Sequence, residues 1–208
     1  SGRPARGYNA AMTPHYWQRA AGELARVDPV MSRLVETYAG ASLVSRGDPF
    51  LTLVRSIVGQ QISVKAADSV WTRLLAALPV PTPQAVLACT VEQLRGCGLS
   101  ARKTEYIADL AGHFAEGRIH AHRWPDMDDA EIIAELTAVR GIGVWTAEMF
   151  LIFTQLRPDV LPLDDIGLQK AVALHYLQGE RPGRRELARL GELWRPWRSV
   201  ATWYLWRS

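Results

Sequence analysis

The sequence predicts an all-α protein. Three observations carry that prediction. Apolar residues recur at three- and four-residue spacing along most of the chain. No segment sustains the strict alternation of a half-buried strand. Helix start and stop residues bracket the periodic stretches. With 208 residues, the chain is long enough for one large or two small domains with a genuine core. Its 48% hydrophobic and 22% charged residues are ordinary for a globular domain.

The elements run in order from the N-terminus. Ser1-Gly-Arg-Pro-Ala-Arg-Gly7 has no apolar stretch of the signal-peptide kind, and a flexible segment is expected over residues 1–12. Thr13-Pro14 starts a first helix over 16–25, and a second over 30–38 ends at Gly40. Asp48-Pro49 introduces a strongly apolar helix over 50–58. Residues 63–78 are amphipathic, with Ala67, Val70, Trp71, Leu74 and Leu75 on one side. Leu78-Pro-Val-Pro-Thr-Pro83 reads as a rigid linker, because proline lacks the amide a helix interior needs. Thr82 or Thr90 caps the next element. A helix over 103–116 stops at Gly117. Asp128 with Glu131 has capping-box spacing, and Ile132, Ile133, Leu136 and Val139 form the stripe of the helix it starts. Residues 144–155 are almost wholly apolar and therefore central. Asp164 is the expected N-cap of a helix over 166–177, and helices over 186–194 and 200–206 close the chain.

Charge and composition narrow the function. The net charge is only +3, yet residues 181–208 hold seven arginines against two glutamates. That bias suits an acidic partner such as DNA, or simply a solvated helix face. Two cysteines, Cys89 and Cys97, fit a reducing compartment. No Cys-x2-Cys or His-Glu-x-x-His spacing occurs, so no metal site is expected. The longest apolar runs fall short of the ~18 residues that a membrane helix needs.

The most informative stretch is Leu136-Thr-Ala-Val-Arg-Gly-Ile-Gly-Val-Trp-Thr-Ala147, together with Leu163-Asp-Asp-Ile-Gly167 downstream. Gly141-Ile142-Gly143 joins two helical segments. Glycines there permit positive φ and close approach of a ligand, while the next helix N-terminus offers amides and a partial positive charge. This suits a phosphate backbone, which such a grip would hold without reading sequence. A tight helix–helix turn is the other reading of Gly-x-Gly alone. A second one, Gly96-Cys97-Gly98, is too little to establish a repeat. Asp165 lies 20 residues after Trp145. From spacing alone, the two aspartates either cap a helix or include a reactive carboxylate.

These residues resemble the helix-hairpin-helix DNA glycosylase superfamily. Gly141–Ala147, Leu163-Asp-Asp165, Trp194-Arg-Pro-Trp-Arg-Ser199, Gly59-Gln-Gln-Ile-Ser63 and Gly98-Leu-Ser-Ala-Arg-Lys103 resemble its alkylation-specific branch, the DNA-3-methyladenine glycosylase II type. The resemblance runs in order from about residue 48 to the end. It implies two helical subdomains, one over 13–62 plus 166–208 and one over 63–165, with a helix-hairpin-helix motif and the active site in the cleft between them. It implies a monofunctional hydrolase of N-glycosyl bonds. Such an enzyme flips alkylated purines of the 3-methyladenine and 7-methylguanine type out of duplex DNA and starts base excision repair. A non-catalytic damage-binding module is the second reading. It would use the hairpin and the basic tail but not Asp165.

The resemblance also assigns residues. Asp165 matches the catalytic aspartate, and a carboxylate there stabilises the positive charge that builds on the sugar. Trp145 stands where strand-cleaving members carry the lysine that forms a Schiff base, so lyase chemistry has no obvious nucleophile. Trp145 and Trp206 match pocket aromatics, on which a cationic alkylated base can stack. Met149 replaces an aromatic one turn after Trp145. Gln61 is a base-facing candidate, with a tie between the subdomains as the other reading, and Gln60 reads as structural. Gly141, Gly143 and Thr146 hold the DNA backbone. Ala101 occupies the position of the side chain that fills the vacated stack, with Leu99 as the larger alternative. Arg102 and Lys103 are either phosphate contacts or ordinary exposed charges. Trp194 and Trp197 read as core. No cofactor is required and no iron–sulfur cluster is expected, while the family's hairpin can hold a monovalent cation. The expected partner is double-stranded DNA with alkylated bases, met by a monomeric bacterial protein in the cytoplasm.

Overall fold

Twelve α-helices and no strand make up the described residues, 13–208, of the computed structural model. The flexible segment expected over residues 1–12 lies outside them. The helices are α1 (Trp17–Val27), α2 (Pro29–Thr37), α3 (Pro49–Val58), α4 (Val64–Ala77), α5 (Pro83–Leu87), α6 (Val91–Gly96), α7 (Ala101–Ala115), α8 (Asp129–Thr137), α9 (Val144–Phe153), α10 (Ile166–Tyr176), α11 (Arg184–Glu192) and α12 (Arg198–Arg207). A 3-10 turn at Ala121–Asp126 precedes α8.

Most starts are written in the sequence. Asp48, Ser63, Ser100 and Asp128 each accept a backbone N–H of the helix they precede. Thr82 and Thr90 both cap, each starting its own short helix. The proline-rich linker is shorter than its composition suggests. Pro83 begins α5, because the first helical position has no use for the N–H that proline lacks.

The chain divides into two units. One holds the described residues up to Gly47 together with Leu151–Ser208, and the other is Asp48–Phe150. The boundaries therefore fall at 47/48 and 150/151, the second inside α9, where the sequence suggested 62/63 and 165/166. Packing explains the difference. The apolar face of α3 lies on α4 and α7, which makes it part of the second unit. Residues beyond Phe150 are tied to the first unit: Arg46 N–H donates to the Phe153 carbonyl (3.1 Å), Ser199 N–H to Pro158 (3.0 Å) and Val160 N–H to Ser199 Oγ (2.8 Å).

In the first unit, α1 packs on α2, and α12 packs on α1, α2 and α10. Trp17 sits edge-on to Trp203, with centroids 5.0 Å apart. Trp194 and Trp197 are buried, in line with their core reading. A buried carboxylate organises this core. Asp28 Oδ1 accepts Val30 N–H (2.8 Å) and Met31 N–H (3.4 Å), while Oδ2 accepts the Tyr176 hydroxyl (2.6 Å) and the Trp194 indole (2.9 Å). Four donors offset the cost of burying it. Burial, and next the hydrogen bond to Asp28, push the Tyr176 phenol well above its ordinary range.

In the second unit, α7 is the hub on which α3, α5 and α6 pack. The loop before α8 is pinned by Glu135, which accepts the Trp124 indole (3.1 Å) and His120 N–H (3.2 Å) and pairs with the His120 ring. Burial opposes the charge on Glu135, but these donors outweigh it and hold the carboxyl below its usual range.

Candidate active site

The first unit carries the carboxylate. Asp165 is 7% exposed and is itself the N-cap of α10. Its Oδ1 accepts Leu168 N–H (2.6 Å) and the Trp206 indole N–H (2.7 Å). The expected cap, Asp164, is instead exposed and pairs with Arg184. Register decides between them: a cap reaches the amide three residues on, and the helix begins at Ile166. Gly167 packs against both partners. A Cβ there would lie 3.2 Å from Asp165 Oδ1 and 3.2 Å from Trp206 Cδ1. Trp206 is half-buried and stacks on Phe153, with centroids 5.4 Å apart and planes 10° apart. The Arg46 guanidinium lies 4.1 Å from the Phe153 centroid.

The second unit carries the hairpin. Gly141 has φ +88°, and a Cβ on it would meet the Tyr106 ring at 2.3 Å, so only glycine fits. The turn is anchored from three sides. Gln60 Nε2 donates to the Gly141 carbonyl (2.8 Å), Arg140 N–H donates to Asp109 Oδ2 (2.8 Å), and Ile142 is buried. Gly143 differs from its neighbour. It is not among the residues of positive φ, it is exposed, and a Cβ on it would meet nothing within 4 Å. Beyond it, Val144 and Trp145 are 53% and 50% exposed, and Thr146 and Met149 are half-buried.

The remaining candidates of this unit divide by exposure. Ala101 and Arg102 are exposed in the first turn of α7, which Ser100 caps. Leu99 is 5% exposed and belongs to the core. Lys103 Nζ donates to the Val58 carbonyl at the end of α3 (2.8 Å), and burial lowers its pKa. Its ammonium is thereby used inside the unit. Gln61 is exposed with φ +56°, a conformation that non-glycine residues seldom adopt. Gln60 has the structural role its position suggested.

Within one unit, then, Asp165 and Trp206 are brought into direct contact. Within the other, Gly141, Gly143, Trp145, Thr146 and Met149 share one turn and the helix after it. Sequence reasoning missed Arg46, Phe153 and Tyr106, which no motif marks, and it quoted Gly167 without giving it a role. Among the described residues, no group of three or more His, Cys, Asp or Glu side chains is arranged to hold a metal ion. Nor is any helix of these residues long and apolar enough to cross a membrane.

Comparison with known proteins places these features in context. Residues 54–196 match the HhH-GPD family, described as a superfamily base excision DNA repair protein. YfjP of Bacillus subtilis (strain 168) is 32% identical over 186 residues, which cover 86% of this chain and 65% of that one. The chain thus spans somewhat under two thirds of that relative's length. A crystal structure of DNA-3-methyladenine glycosidase from Bacillus halodurans superposes with a TM-score of 0.84 at 34% identity, covering 97% of this chain and 91% of the other. The 3-methyladenine DNA glycosylase of Schizosaccharomyces pombe, solved in complex with abasic DNA, gives 0.75 at 30% identity, covering 91% and 95%.

Proposed function

The chain belongs to the HhH-GPD superfamily of base excision DNA repair proteins, and from that premise we propose that it is a monofunctional DNA glycosylase acting on alkylated purines in duplex DNA. The observation that carries the proposal is Asp165, a nearly buried carboxylate with one oxygen fixed by a helix amide and an indole. The similarity to two 3-methyladenine glycosylases supports the substrate class.

The chemistry rests on these parts. As the C1′–N bond breaks, the base leaves with the electron pair and positive charge grows on the sugar. A fixed carboxylate stabilises that charge and orients the water whose oxygen bonds to C1′ as its proton is lost. A purine alkylated at N3 or N7 is already cationic, so it departs without a general acid. Trp145 supplies an aromatic face rather than an amine, which favours hydrolysis over covalent lyase chemistry. Trp206, Met149 and Gln61 complete the base-facing set.

The backbone of DNA is assigned to the hairpin. The amides around Gly141, Gly143 and Thr146 hold a phosphate. The open space at Gly143 supports this, since no neighbour within the protein requires a glycine there. Ala101 and Arg102 face DNA beside it, and Lys103 serves by securing α7 to α3. A monovalent cation at the hairpin would be held by main-chain carbonyls, of which that of Gly141 already accepts Gln60. The protein is proposed to act as a monomer, in the cytoplasm, on chromosomal DNA.

The test is release of free bases from methylated duplex DNA by the wild type and by Asp165→Asn. Wild type should release 3-methyladenine and 7-methylguanine, and the variant should be slower by about 10²–10³-fold or more with DNA affinity retained. Binding without release by the wild type would instead establish a damage-binding module.

A further inference from the structure

The contacts of Trp206 leave it less free than a simple stacking platform. Its indole N–H is committed to Asp165 Oδ1 at 2.7 Å, and its ring lies nearly parallel to Phe153. Phe153 is tethered in turn by both the main chain and the side chain of Arg46. The Arg46 N–H donates to the Phe153 carbonyl, and the guanidinium rests over the Phe153 ring. Ser45 Oγ adds a longer bond to the next carbonyl, that of Thr154 (3.3 Å). On the other side of the carboxylate contact lies Gly167, where a Cβ would come within 3.2 Å of both Asp165 Oδ1 and Trp206 Cδ1. All of these groups belong to one unit.

We infer that Arg46, Phe153 and Trp206 form a positioning ladder that fixes the rotamer of Asp165, so that Phe153 and Arg46, which touch no reacting atom, set the rate of base excision. The inference rests on the glycosylase reading for its kinetic consequence. Its geometric consequence stands independently. A carboxylate has two equivalent oxygens and a soft terminal torsion. The Leu168 amide and the Trp206 indole both bond Oδ1. A second donor on the same oxygen defines the plane, and therefore where Oδ2 points. The second donor is only as fixed as the indole that carries it. The Trp206 indole lies in the last turn of α12, and the stacked Phe153 ring supports it. Misplacement of a reacting group by about 1 Å can cost about 100-fold in rate.

The experiment pairs two readouts on folded variants with wild-type melting behaviour. The first is hydrogen exchange of the Trp206 indole N–H by NMR. It should be protected in the wild type, and faster in Phe153→Leu by about tenfold or more, as expected when a buried hydrogen bond opens more often. The second is the single-turnover excision rate, with DNA affinity measured beside it. Phe153→Leu should lower the rate by about 10- to 100-fold at unchanged affinity, and Phe153→Tyr, which keeps the stacked ring, should recover most of it. Arg46→Leu, at an exposed position, should show the same pattern at smaller size. Gly167→Ala, which crowds the carboxylate and the indole directly and leaves Phe153 and Arg46 in place, should also slow the rate.

Unprotected exchange in the wild type, or equal exchange in wild type and Phe153→Leu, overturns the ladder whatever the enzyme does. Equal losses in Phe153→Leu and Phe153→Tyr, or a loss that appears only in DNA affinity, overturns it as well. Failure of the wild type to release any base removes the glycosylase reading alone, because the exchange result still decides the geometry.

Discussion

The two sets of candidate residues, a carboxylate half in one unit and a hairpin half in the other, solve different problems with different materials. In the carboxylate half, side chains carry the geometry. Asp165 is nearly buried, its partners are an indole and a helix amide, and aromatic packing sits behind them. In the hairpin half, the backbone carries the geometry and side chains only brace it: Tyr106 lies beneath Gly141, Gln60 on its carbonyl and Asp109 on the preceding amide. The contrast suits the tasks proposed for them. A charge building on a single sugar carbon needs one atom held still in a dry setting, where electrostatics is strong. A phosphate needs several donors that stay open to solvent until DNA arrives, which helix-start amides provide.

That division predicts where damage will appear. The largest effect on the hairpin half is expected from Gly141→Ala. The new Cβ would lie 2.3 Å from the Tyr106 ring on a backbone with φ +88°. Overpacking and the left-handed conformation together should cost about 3 kcal/mol of stability. Denaturant melts should report that loss, and DNA affinity should fall with it. The excision rate of whatever complex forms should stay near wild type. Adding Tyr106→Ala should return part of the lost stability. If it returns none, the ring is not what excludes a side chain at 141.

The sequence was most legible where physics is local. Capping residues such as Asp48, Ser63 and Asp128 stand within three residues of the amides they bind, so periodicity and cap spacing located the helices well. The adjacent aspartates show the limit of local signals. Either can cap, and only the helix register, set by packing, selects Asp165. The hairpin was legible because two glycines close together have few uses. The different reasons for the two were not, since the demand at Gly141 comes from Tyr106, a residue on another helix. The ladder was illegible for the same reason. Arg46 lies in a loop without pattern, and Phe153 is one apolar residue among many in α9. Trp206 was picked out by family resemblance alone, and the boundaries between units depended on which face α3 buries.

A smaller effect is expected from Gln60→Ala. The substitution removes the amide that holds the Gly141 carbonyl, in a half-buried setting. The loss should be about 1 kcal/mol, the usual net value of one such bond. Because the bond orients the turn, most of the loss should appear as weaker DNA binding, with little change in the rate at saturating enzyme. A rate loss at full binding would mean that the brace reaches the chemistry, and the division between the halves would be less clean than the contacts imply.

The smallest effect separates two neighbouring cations. Lys103 spends its ammonium on the Val58 carbonyl, whereas Arg102 is exposed in the first turn of α7. A positive charge at a helix N-terminus opposes the macrodipole and costs the fold about 0.3–1 kcal/mol at low salt. An exposed arginine here weakens its own helix and leaves its charge open to an anion outside the protein, such as a phosphate. Arg102→Ala should therefore leave stability unchanged or slightly raised. Titrations of DNA binding across salt concentrations should show the slope of log affinity against log salt falling by about one, the share of one phosphate contact. Lys103→Met should do the reverse, lowering the melting point with the slope intact. If Arg102→Ala leaves the slope untouched, the hairpin amides hold DNA without help from α7, and the hairpin half is purely a backbone device.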